Sequence, residues 1–82
     1  MDIKHTSRGF AYAYFYDTDG MKCSIQKSSL ATEDCIWLGS DEKTKRHHVT
    51  GELMSNRMHL NRAQARTLIG LLQRFVDSGE LE

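Results

Sequence analysis

The chain has 82 residues, 39% of them hydrophobic and 27% charged, which suits one soluble globular domain over residues 1–82 rather than a disordered segment. Its formal net charge is zero, which excludes the large acidic excess that a mimic of nucleic acid needs. No apolar run approaches the roughly 20 residues that cross a bilayer, and no export signal opens the chain.

The first element is "FAYAYFYD" (10–17), rich in aromatic strand formers, and "TDG" follows with turn chemistry. "MKCSIQK" (21–27) alternates large apolar with polar residues, the pattern of a half-buried strand. Together they read as a hairpin. "CIWLG" (35–39) is a third short strand, "SDEKTKRHHVTGE" (40–52) a polar loop, and "RMHL" (57–60) a fourth strand or an extended lead into a helix.

The helix is the clearest element. "NRAQARTLIGLLQRFVDSG" places Ala65, Leu68, Ile69, Leu72, Phe75 and Val76 on one stripe at 3.6-residue spacing. Asn61 is a good N-cap, Gln64 completes a capping box, and Leu60 can staple onto Ala65. Gly79 supplies a left-handed stop, so the helix spans 62–78 and measures about 25 Å. Ala63 and Gly70 lie on its polar side, as a solvated face or as a small-residue notch for a close neighbour. Leu81 and Glu82 read as the remnant of a cloning site and carry no structural weight here. The expected fold is α+β: a three- or four-stranded antiparallel meander with the C-terminal helix packed on one face.

Register decides which residues share a face. A two- or four-residue first turn puts Tyr12, Tyr14 and Tyr16 with Met21, Cys23 and Ile25, and a second hairpin centred near Ser29 sets Cys23 opposite Cys35 and Met21 opposite Trp37. Ala11, Ala13, Phe15, Ile36 and Leu38 then share the other face. By count the aromatic face should receive the helix, although Ala11 and Ala13 would let a helix sit close on the other. One helix covers only one face. Either Tyr12, Tyr14 and Trp37 or Phe15, Ile36 and Leu38 are left as an exposed patch of the kind that marks an interface, with Ala63 and Gly70 a second candidate surface.

The chemistry-bearing residues form no strong motif. Two cysteines are too few for a disulfide scaffold, and a reducing cytoplasm is the expected compartment. Cys23, Cys35, His47 and His59 recur every twelve residues, whereas zinc sites pair ligands two to five residues apart, so no metal site and no cofactor is expected. Cys23, Ser28 and Ser29 lack the local signature of an activated nucleophile, and Glu33-Asp34 read as a solvated turn, so no catalytic residues are assigned. Charge is nevertheless uneven: residues 43–66 hold Lys43, Lys45, Arg46, Arg57, Arg62 and Arg66 against Glu52 alone. That basic stretch could contact phosphates, with the tyrosines offering stacking, as the alternative to protein binding.

"DTDGMKCSIQKSSLATEDCIWLG" and "MHLNRAQARTLIGLLQRFVDSGEL" are similar to the two ends of a family of small, uncharacterised proteins encoded by bacteriophages and prophages. The similarity covers residues 15–39 and 58–81, and the intervening segment varies in length among members. The family carries no known activity, so no functional residue transfers. What the resemblance implies is a setting: a phage or prophage accessory protein in the cytoplasm of a bacterial host. Small proteins of that kind often bind a host factor, including antiviral defence components such as CRISPR complexes. The function expected from the sequence is therefore non-catalytic protein–protein binding, to a host factor or as a homodimer, with no membrane partner.

Overall fold

The computed structural model describes residues 1–41, 45–46, 49–51, 53–54 and 57–82. Strands β1 (Lys4–His5), β2 (Ala11–Tyr16), β3 (Lys22–Lys27) and β4 (Ile36–Ser40) pair antiparallel in the order β1-β2-β3-β4, and helix α1 (Arg62–Ser78) packs on one face. This is the expected α+β meander. A separate two-stranded ladder joins β5 (Lys45–Arg46), inside the 40–52 stretch that reads as a polar loop, to β6 (Leu53–Met54) just beyond it.

The fourth strand of the sheet comes from the N-terminus. Lys4 and His5 pair with Tyr12 and Ala11, whereas 57–60 forms no strand. His59 has its backbone engaged elsewhere: its N–H donates to Asp17 Oδ2 at 3.0 Å and its carbonyl accepts from Thr18 N–H at 2.9 Å.

The β2–β3 turn has an odd number of residues, which overturns the expected face assignment. Asp17 N–H donates to the Met21 carbonyl and Gly20 N–H to the Asp17 carbonyl, leaving Thr18, Asp19 and Gly20 as a three-residue loop. Gly20 has φ 80°, the left-handed conformation that such a loop requires and a side chain resists. Tyr16 therefore faces Lys22, Tyr14 faces Ser24 and Tyr12 faces Gln26, while Phe15 faces Cys23 and Ala13 faces Ile25.

The second register differs too. Cys23 lies opposite Ser40, not Cys35, and Trp37 lies opposite Gln26, not Met21. The connection is longer than a hairpin centred on Ser29, because Ser28 N–H donates to the Cys35 carbonyl and the Ser28 hydroxyl accepts from Leu30 N–H. Lys27 closes this end from inside: its ammonium reaches Asp34 at 3.1 Å while its stem is buried.

Helix α1 covers the alanine face, not the aromatic one. Ala11, Ala13, Ile25, Leu68, Leu71 and Leu81 form the core, with Ile3, Phe15, Ile36, Leu60, Leu72 and Phe75 packed against it. Alanines at 5% and 0% exposure leave room for a helix to approach closely; tyrosines there would hold it off. The helix begins at Asn61 with both capping-box bonds formed and ends at Gly79 with φ 76°, as its sequence specifies. Its buried stripe is rotated from the expected one, however. Leu71 is buried, whereas Ile69 and Val76 are exposed, because a helix lying on one sheet buries a narrower arc than its full apolar stripe. Leu81, expected to carry no weight, is fully buried in the core.

Asp17 joins turn to helix. Its buried carboxylate accepts from Asp19 N–H and Met21 N–H through Oδ1 and from His59 N–H through Oδ2. Burial pushes its pKa up, but the three backbone donors and the nearby His59 outweigh this and hold it below the usual carboxylate value. Next to it, Gln64 of the capping box donates from Nε2 to the Tyr16 carbonyl at 2.8 Å.

Replacing Asp17 with alanine strands three backbone donors and should destabilise the fold by about 2–4 kcal/mol in urea unfolding. Because the native pKa is the lower one, the carboxylate's contribution is full above the unfolded value, about 3.9, and is lost as pH falls through the native value. Asp17→Asn should accordingly show a shallower loss of stability between neutral pH and about pH 3 than the wild type. Leu81→Ala should cost about 2–4 kcal/mol; a change near zero would show that the terminal residues are dispensable.

Candidate functional site

Alternation along β2 sends Tyr12, Tyr14 and Tyr16 to the sheet face away from α1. Pairing then assembles that face in rows: Lys4, Tyr12, Gln26 and Trp37 lie side by side, followed by Tyr14, Ser24 and Gly39, then Tyr16 and Lys22. Strand geometry sets the tyrosines about 6.7 Å apart along β2 and puts Trp37 roughly 10 Å across the sheet from Tyr12. Trp37 is 69% exposed, Tyr16 57% and Tyr14 40%.

Two lysines converge on the middle tyrosine. The ammonium of Lys4 stands 5.0 Å from the Tyr14 ring centre and that of Lys22 stands 4.8 Å from it. Each sits diagonally across a strand pair from Tyr14, within reach of a long side chain. Cation–π attraction at an exposed site, about 0.5–1 kcal/mol each, holds the charges upright over the aromatic group. Tyr14 also meets Tyr16 edge-on, ring centres 6.3 Å apart at 89°. The Ser24 hydroxyl donates to Asp41 Oδ1, which places a carboxylate at the rim of this face.

The sequence-derived candidates separate. Tyr12, Tyr14 and Trp37 share the open face, whereas Phe15 and Ile36 pack against the core, and Leu38, 39% exposed, belongs to the helix side of β4. Ala63 and Gly70 are exposed on α1, and Met1 lies alongside both. A Cβ added at Gly70 would meet nothing within 4 Å, so no close approach explains that glycine. Arg62 and Arg66 are exposed on α1, the element that packs on the sheet face opposite the tyrosines; Arg57 is exposed in the segment before the helix. Lys45 and Arg46 form β5, while Lys43 lies outside the described residues.

Sequence reasoning missed Lys4, Lys22, Ser24 and Gln26 as members of this face. The signal was the polar phase of "MKCSIQK", which joins the tyrosines only when the preceding turn is odd.

Elsewhere the reactive groups are dispersed. Neither cysteine is in a disulfide; Cys23 is fully buried and Cys35 half-buried. Exposed His5 pairs with Glu82 and exposed His59 with Asp19 at 3.2 Å. Among the described residues no three His, Cys, Asp or Glu side chains are grouped to hold a metal ion; His47 lies outside them. No described helix is long and apolar enough to cross a membrane. No family model, curated protein or solved structure matches the chain.

The two faces should respond oppositely to substitution. Trp37→Ser should change stability by less than about 1 kcal/mol, while Phe15→Lys, which puts a charge against the core, should cost about 2–4 kcal/mol. Thermal unfolding of both variants checks the assignment, and a reversed order would mean that the helix covers the aromatic face.

Proposed function

We propose that this chain is a non-catalytic binding protein whose recognition surface is the open sheet face carrying Tyr12, Tyr14, Tyr16 and Trp37. One observation carries the reading: the only tryptophan is 69% exposed, on the same sheet face as three tyrosines, a face that α1 does not cover. Keeping a ring of this size in water forgoes roughly 1.5–3 kcal/mol of burial, and Trp and Tyr are the side chains that most often anchor interfaces.

The dispersal of His5, His59, Cys23 and Cys35 supports a role without catalysis, since nucleophile and base must lie within hydrogen-bond reach. The phage and prophage resemblance supplies the proposed setting: an accessory protein in a bacterial cytoplasm, acting on a host component such as a CRISPR complex. The alternative surface over 43–66 has less support, because Arg62 and Arg66 stand on the helix that packs against the other face of the sheet.

A photo-crosslinking amino acid placed at position 37 in living bacteria should give a discrete adduct. The same group at position 69, where Ile69 is 66% exposed on α1, should give none. Adducts at 69 and none at 37 would move the recognition surface to the helix.

A further inference from the structure

We infer that the partner of the open face is single-stranded nucleic acid, its bases stacking on Trp37 and the flanking Tyr12 and Tyr16 and its phosphates met by Lys4 and Lys22 beside Tyr14. This inference rests on the open face being the recognition surface and adds the chemistry of its ligand. Protein interfaces concentrate aromatics but deplete lysine, above all at their centres. Here two ammonium groups stand within 5.0 Å of the central tyrosine, and the positions between the aromatics are Ser24, Gln26 and Gly39 rather than aliphatic residues. Among the described residues neither lysine is in an ion pair with a carboxylate, so both charges are available to an anion. Asp41, which accepts from the Ser24 hydroxyl at the end of the Lys22 row, leaves one negative charge at the rim, so Lys4 is the less opposed of the two cations.

A ligand that fits must offer flat apolar rings and negative charge at short, repeated intervals. Unpaired nucleotides do so: base stacking on aromatic side chains tolerates any sequence, and a charged groove or face follows the backbone. A duplex does not fit, because its bases are already stacked on one another and a flat sheet face cannot enter its grooves. With two lysines the electrostatic share is small. The dependence of log K on log salt should have a slope of about 1.4 in magnitude, two contacts at roughly 0.7 each for single strands.

The test follows from Trp37 being the only tryptophan, so that its emission reports directly on this face. Oligothymidylate and oligouridylate of about twelve nucleotides, titrated at low salt into the full chain, should quench that emission saturably. Lys4→Ala with Lys22→Ala should weaken binding at least about tenfold and remove most of the salt dependence. Trp37→Leu, followed by anisotropy of a labelled oligonucleotide, should weaken it by about 5- to 150-fold. Arg62→Ala with Arg66→Ala should leave it unchanged. Three results would overturn the inference: no binding of either oligonucleotide, tighter binding of duplex than of single strands, or binding abolished by the arginine pair and untouched by Trp37→Leu. If oligonucleotides fail while the crosslink at position 37 captures a protein or a second copy, the nucleic-acid inference falls and the recognition face stands. If both fail, the face itself has been misassigned.

Discussion

The fold turns on one buried carboxylate. Asp17 gathers three backbone N–H groups, two from its own turn and one from His59, forty-two residues further along the chain. A buried charge is tolerable only when its lone pairs are filled, and here the filling groups are backbone donors that would otherwise be stranded in a tight loop. The same contact brings the segment before the helix against the hairpin. From there Gln64 both closes the capping box of α1 and reaches the Tyr16 carbonyl. Turn, lead-in segment and helix start are thus positioned as one unit.

That unit fixes the count of residues in the turn, and the count fixes the faces. With Gly20 in the left-handed conformation the loop is odd, so Ala11, Ala13 and Phe15 share a side with Cys23 and Ile25. Small residues in the middle of β2 let α1 settle close, and Leu68, Leu71 and Leu81 complete a core on that side. The tyrosines are displaced outward by the same choice. An even loop would have put three bulky rings under the helix and the lysine at position 22 with the alanines, a core of different shape and a different exposed face.

What could be read from the sequence follows the range of the interactions involved. The helix and both its ends are local matters of capping and left-handed glycine, and Asn61, Gln64 and Gly79 declare them. The long strands declare themselves by alternation. Turn parity is not local, because an odd and an even loop suit "DTDG" about equally until His59 arrives to share Asp17. The two-residue β1 is too short to carry a pattern, and Leu81 is buried only because the chain folds back over the sheet. Tyr12, Tyr14 and Trp37 were nonetheless placed on one face, since the β2–β3 and β3–β4 registers each shifted by an odd number and the two changes of side cancel. Met21, Cys23 and Ile25 had no such second inversion and moved to the buried side.

A zero net charge looks like an argument against any polyanionic ligand, but over molecular distances it is the arrangement that acts. Charges beyond about 8–10 Å are largely screened at physiological salt, so a ligand on the open face feels Lys4, Lys22 and the rim acid Asp41 far more than charges behind the sheet. The absence of a net positive field removes long-range steering, not short-range attraction. On the proposed reading the surface gains its affinity from rings and its orientation from two nearby cations. Selection, on that reading, resides in the geometry of three tyrosines on β2 and Trp37 on β4, with β3 between them, which the odd turn at Asp17 sets.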